Sequence, residues 1–124
     1  MVQGKARKAL VIEDEDSWVD LLRMVLAEAG YKVLHAQDSR RALAIAETER
    51  IDLAIIDLSL PDGFGLDLIE KIHRLPGLEN LPVIILSAYH REEVGDLDLG
   101  KSFFVSKDQG LPPLLSTVRA VAPS

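Results

Sequence analysis

The chain contains no cysteine, which removes disulfides, cysteine-ligated zinc, iron–sulfur clusters and thiol nucleophiles together. Long hydrophobic runs are missing as well. The apolar stretches, such as residues 83–86, extend for only a few positions, whereas a membrane-spanning helix needs about 20. Near the N-terminus, Lys5, Arg7 and Lys8 precede the apolar residues 9–12, but that run ends at once in Glu13-Asp14-Glu15-Asp16 and cannot serve as a signal-peptide core. A cytoplasmic protein is therefore expected. Positive charge is in deficit: 14 lysines and arginines against 20 aspartates and glutamates leave a net charge of −6, a field that repels nucleic acid phosphate and anionic lipid. The basic residues at the start read as a solvated tail. His35, His73 and His90 are scattered without metal-ligand spacing and read as surface residues. There is no internal repeat, low-complexity tract or linker.

What is present is the composition of one folded domain. The 124 residues suit a single unit, and 48% hydrophobic with 27% charged residues is far from the profile of disordered chains. Apolar runs of strand length recur at residues 9–12, 33–36, 53–56, 83–86 and 103–105. Most are continuous rather than alternating, as in strands buried on both faces. Between the first two, Trp18, Leu21, Leu22, Val25, Leu26 and Ala29 repeat at helical spacing, with Gly30 as a stop. Asp38 or Ser39 can cap a second helix carrying Ala42, Leu43, Ile45 and Ala46, and a third carries Leu66, Ile69 and Ile72 before Pro76-Gly77. Pro112 and Pro113 suit the first turn of a last helix with Leu114, Leu115 and Val118. Alternating strands and helices predict an α/β doubly wound domain with a five-stranded parallel sheet and helices on both faces. Residues 90–100 break the pattern, because Gly95, Asp96 and Asp98 interrupt a poor apolar periodicity. Any fourth helix there should be short or frayed.

In open α/β sheets, ligands bind beyond the carboxyl ends of the strands. Those ends are followed here by Glu13 and Asp14, then Asp57, Ser87 and Lys107. Three carboxylates brought together repel unless a cation intervenes. Oxygen ligands without histidine or cysteine favour a hard ion, and a small site that keeps its waters favours magnesium over calcium. A carboxylate so placed can attack phosphorus to form an acyl phosphate, with Lys107 and Ser87 left to bind the remaining phosphoryl oxygens. Each residue also has an ordinary reading. Glu13 and Asp14 could complement a helix dipole, Ser87 could be a turn serine and Lys107 a surface lysine. Asp57 is harder to dismiss, since an unpaired carboxylate at the end of a central strand is costly. Trp18, by its helical register, reads as a core residue.

The stretch DLAIIDLSLPDGFGLDLI, residues 52–69, resembles the phospho-acceptor strand and following loop of the receiver domains of bacterial two-component response regulators, including Pro61 and Gly65. LVIEDED resembles that family's acidic loop, LPVIILSA its switch strand, and Lys107 its strand-end lysine. The resemblance covers roughly residues 8–118 and implies a receiver fold with strand order 2-1-3-4-5, its core at about residues 8–119. It implies Asp57 as phospho-acceptor, and magnesium held by Asp14, Asp57 and the backbone carbonyl of Ser59, with Glu13 acting through water. Ser87 and Phe104 become the switch residues and Lys107 the partner of the phosphoryl group. Ala88 leaves space for that group, while Ser59 and Tyr89 tune dephosphorylation. The implied partners are a sensor histidine kinase or phosphotransfer protein, and an output partner or effector domain of unspecified identity. A homodimer is left open, and the domain is no enzyme beyond its own phosphorylation and dephosphorylation.

Three features depart from the family pattern. Asp108 replaces the proline that usually follows the lysine in a cis peptide, so a trans bond and a shifted loop are expected, with the new carboxylate competing for Lys107. Residues 94–100 lack the usual alanine-rich helix, which puts the ordinary output face in doubt. The last helix reads as short, and a stand-alone regulator and a domain of a longer chain are both compatible with the sequence. These departures favour the alternative of a phosphate-independent pseudo-receiver; retention of Glu13, Asp14, Asp57, Ser87 and Lys107 argues against it. An aspartate-nucleophile phosphatase of the haloacid dehalogenase type wants a second aspartate two positions after the nucleophile, where this chain has Ser59.

Overall fold

A computed structural model describes residues 7–60, 63–88 and 102–121, with backbone alone at residues 59, 60, 63 and 64. The chain runs β1 (Arg7–Ile12), α1 (Asp16–Glu28), β2 (Tyr31–Ala36), α2 (Ser39–Thr48), β3 (Leu53–Asp57), β4 (Ser59–Leu60), β5 (Gly63–Phe64), α3 (Gly65–His73), β6 (Val83–Ser87), β7 (Phe103–Ser106) and α4 (Leu111–Val121). Five strands pair in parallel in the order β2-β1-β3-β6-β7, which is the expected 2-1-3-4-5 once the short antiparallel ribbon β4–β5 is set aside. Residues 89–101 lie outside the described residues. They include Tyr89, His90 and the segment expected to form a short or frayed helix.

Side chains alternate across each strand, and the alternate sets fill two separate cores. Leu10, Ile12, Ala54, Ile56, Val83 and Ile85 face α2 and α3, together with Ala42, Ala46, Leu68 and Ile72. Ala9, Val11, Leu53, Ile55, Ile84, Leu86 and Val105 face α1 and α4, together with Leu22, Leu26, Leu114 and Val118. The central strand β3 is buried along its whole length, which is why its sequence is a continuous apolar run.

Helix ends follow local chemistry. Asp38 is the cap of α2, its side chain accepting the Arg41 N–H at 2.9 Å. Gly30, with φ of +89°, takes the left-handed turn after α1 that leads into β2. Pro112 and Pro113 stand in the first turn of α4, as expected. At 11 residues that helix has the ordinary length and not the shortness expected, because Leu111 opens it and the apolar stripe continues to Val121. The β4–β5 ribbon was not anticipated either; a two-residue strand is too short to show a period.

Candidate functional site

The register of the sheet builds the site. Ile12 lies opposite Ile56, so Glu13 and Asp57 leave neighbouring strands at the same level. Leu86 lies opposite Asp57 and Ser87 opposite Ser106, which carries Lys107 one step beyond. Glu13, Asp14 and Asp57 each offer a carboxylate oxygen, and these oxygens lie within 4.8 Å of one another. Glu13 is 1% and Asp57 6% exposed, whereas Asp14 faces solvent. The cluster is thus closed beneath and open at Asp14.

Lys107 joins it. Its Nζ stands 2.8 Å from Glu13 Oε1, 3.3 Å from Asp57 Oδ2 and 3.7 Å from Glu15 Oε1, with the side chain only 8% exposed. Burial drives the Glu13 carboxyl up from 4.5 to about 7, assisted by the charge of Asp57 and opposed by Lys107 and the Glu15 N–H. Burial alone would lower the Lys107 ammonium, but Glu13 and Asp57 outweigh it and hold its pKa above the ordinary amine value. Among the described residues, Lys107 therefore faces more carboxylates than its one charge balances.

Backbone contacts fix Glu13. Its Oε2 accepts the N–H groups of Asp14 and Glu15, each at 3.1 Å. Its own N–H donates to the Ala36 carbonyl at 3.2 Å, and its carbonyl accepts from His35 Nε2 at 2.8 Å. His35 is accordingly no simple surface residue. Nor is His73, which is half-buried with Nε2 2.9 Å from the Leu81 carbonyl; both histidines correct the surface reading. On the far side of Asp57, Gly65 donates its N–H to Leu58 O at 3.2 Å. A Cβ on Gly65 would lie 2.7 Å from the Asp57 carbonyl oxygen, so glycine alone lets α3 begin this close to the site.

Ser87 is buried at the end of β6 and Ala88 is exposed just beyond it. Phe104 is half-buried against the core facing α2 and α3. The Ser59 backbone opens β4 two residues after Asp57. The Lys107–Asp108 peptide is trans, as expected, with no cis bond among the described residues. Residues Lys107–Gln109 form a 3₁₀ turn, within which Asp108 Oδ1 accepts a 2.5 Å hydrogen bond from Ser106 Oγ.

Glu15, His35 and the seat of Trp18 have no signal in the spacing of the chain that marks them as part of the site. Trp18 is half-buried, packed on the core against α1 and α4, and Lys107 Nζ stands 5.2 Å from its ring centroid. Glu15 is hinted at only by the unbroken acidic run, in which it follows Glu13 by two residues. His35 sits opposite Val11 in the register, close to where the acidic loop begins.

This is the architecture of a signalling receiver, and the chain belongs to the response regulator receiver domain family, whose model matches residues 9–119. It is 36% identical over 112 residues to the KDP operon transcriptional regulatory protein KdpE of Escherichia coli (strain K12), covering 89% of this chain and 48% of that protein. The chain thus spans about half the length of that relative. Among solved structures it resembles the Vibrio cholerae chemotaxis protein CheY4, with a TM-score of 0.84 and 26% identity over 94% of this chain and 99% of the other. It also resembles the response regulator TrrA of Thermotoga maritima, solved in complex with Mg²⁺–BeF, with a TM-score of 0.80 and 25% identity over 94% and 99%. The chain is thus a receiver domain of the response regulator type. Among the described residues no helix is long and apolar enough to cross a membrane.

Proposed function

We propose that the chain is a single receiver domain, core about residues 8–119, in which Asp57 accepts a phosphoryl group and the resulting aspartyl phosphate changes partner binding. The observation that carries this reading is the Lys107 ammonium 3.3 Å from Asp57 Oδ2, beside a cluster of three carboxylates. An Asp57 carboxylate oxygen attacks phosphorus, a new O–P bond forms, and the bond from phosphorus to the donor breaks with its electron pair leaving on the donor. From a phosphohistidine the leaving group is imidazole, which takes up a proton; from acetyl phosphate it is acetate. Lys107 meets the negative charge of the phosphoryl oxygens, and Ser87 and Ala88 flank the place where they arrive.

Glu13, Asp14 and Asp57 suit magnesium: the donors are all hard oxygens and the cluster carries more negative charge than Lys107 balances. Asp14 and Asp57 would hold the ion directly with the Ser59 carbonyl, and Glu13 would act through water. When bound, such an ion would supply charge that offsets the repulsion between these carboxylates and the incoming phosphoryl oxygens. TrrA, a similar receiver, was solved with Mg²⁺–BeF, which supports magnesium as the ion. Ser87 and Phe104 act as the two-state element that relays the modification to an output partner or effector domain. Ser59 and Tyr89 tune hydrolysis. The donor is a sensor histidine kinase or phosphotransfer protein, and the domain works in the cytoplasm.

The test is intact mass after incubation with acetyl phosphate and magnesium. Wild type gains one phosphoryl group, about 80 Da, and Asp57→Asn gains none. A gain that persists in the variant overturns the assignment.

A further inference from the structure

Lys107 meets two kinds of group. Carboxylates of Glu13, Asp57 and Glu15 surround its Nζ at 2.8, 3.3 and 3.7 Å. The same Nζ stands 5.2 Å from the centroid of the Trp18 ring. Trp18 belongs to the first turn of α1 and its N–H donates to Glu15 O at 3.0 Å, while the ring packs against the core between α1, α4 and the sheet. The aromatic surface is therefore fixed by the helix start and the core, and the flexible partner is the lysine stem. An indole face attracts an ammonium within about 6 Å of its centroid.

We infer that Trp18 is a positioning residue for Lys107: its indole face keeps the ammonium beside Asp57 against the pull of Glu13 and Glu15. The inference rests on the reading of Asp57 as phospho-acceptor. Without the ring, the two glutamates draw the ammonium toward the acidic loop. It then stands away from the phosphoryl oxygens and closer to Glu13, while Asp14 and Asp57 keep their places. Loss of Trp18 should therefore slow phosphoryl transfer even at saturating magnesium. Trp18→Phe keeps a weaker aromatic face and Trp18→Leu keeps only apolar bulk.

The experiment compares initial rates of phosphoryl gain from acetyl phosphate at saturating magnesium, by intact mass. The variants are Trp18→Phe and Trp18→Leu, and Trp18→Leu combined with Lys107→Ala. Trp18→Leu should be about three- to tenfold slower, the span a cation–π contact supports, with Trp18→Phe retaining most of the rate. In the Lys107→Ala background, Trp18→Leu should cause no further slowing. Equal slowing in both backgrounds, or a Trp18→Leu rate equal to wild type, overturns the inference. Should Trp18→Leu not fold, Trp18→Phe carries the comparison in both backgrounds, with a smaller slowing that must again vanish without Lys107. A second readout needs no phosphoryl transfer. The Lys107 ε-methylene protons should show an upfield ring-current shift in wild type that disappears in Trp18→Leu, and its absence from wild type overturns the contact. Wild type that gains no phosphoryl group fails differently: it overturns the reading of Asp57, and the role of Trp18 falls with it.

Discussion

Gly65 abuts Asp57 so closely that a methyl group on its Cα would sit 2.7 Å from the Asp57 carbonyl oxygen and 2.8 Å from Ile56 Cγ2. Both obstacles belong to the fully buried strand β3, so neither can swing away. Gly65→Ala must shift the start of α3 or the end of β3, at a cost of about 1–3 kcal/mol as in other overpacked cores. Because the shift falls on Asp57, phosphoryl acceptance should slow as well. Urea unfolding and the acetyl phosphate rate check both; an unchanged midpoint would contradict the close approach.

Glu13 supplies a pH dependence of known sign. Its folded-state pKa of about 7 exceeds the ordinary 4.5, chiefly through burial, so the native state favours the protonated acid. That stabilisation is complete below about 4.5 and lost as pH rises through about 7. At about 1.4 kcal/mol per pKa unit, metal-free wild type should lose up to a few kcal/mol relative to Glu13→Gln across this window. Denaturant melts in chelator at about pH 5 and about pH 8 decide it. Parallel losses in the two proteins would contradict the prediction.

Lys107→Ala removes the ammonium from beside the buried Glu13 and Asp57. Breaking a buried ion pair on one side costs about 3 kcal/mol or more, at the low end here because Asp14 opens the cluster to water. A cation that binds only the folded state restores stability in proportion to its affinity. Thermal melts with chelator and then with magnesium should show a larger rise for Lys107→Ala than for wild type. Equal rises would argue against magnesium and lysine serving the same charges.

Ser106 and Asp108 stabilise the turn that presents Lys107. Ser106→Ala removes the hydrogen bond to Asp108 Oδ1 and should cost about 1 kcal/mol, as expected for a hydrogen bond to an exposed acceptor. In a double-mutant cycle with Asp108→Ala the losses should fall short of their sum by about that amount. Additive losses would separate the two side chains.

The sheet was legible in the chain because both of its faces are buried. Residues 53–56 and 83–86 are continuously apolar for that reason, and the positions of Asp57, Ser87 and Lys107 follow from where such runs end. Convergence of Glu13, Asp14 and Asp57 was legible too, since parallel strands deliver their carboxyl ends to one edge. What the sequence left hidden depends on side-chain direction and contacts between distant segments. That His35 reaches the Glu13 carbonyl depends on the β1–β2 register, and that Trp18 faces Lys107 depends on the position of α1 over the sheet. The helical period placed Trp18 on the inward side but could not say that a lysine just beyond the last strand would meet it. Asp108 was expected to contend for Lys107; its hydrogen bond with Ser106 involves two residues on either side of that lysine, a local geometry without periodic signature.

The central claim is that Asp57 becomes an acyl phosphate, and trapping that bond tests it most directly. Borohydride reduces an aspartyl phosphate to homoserine, so the protein is treated with acetyl phosphate and magnesium, reduced, digested and sequenced by mass. Homoserine at position 57, dependent on magnesium, is the expected result. Homoserine at another aspartate, or none in a folded protein supplied with acetyl phosphate or a histidine kinase, would contradict it and favour a phosphate-independent interaction domain.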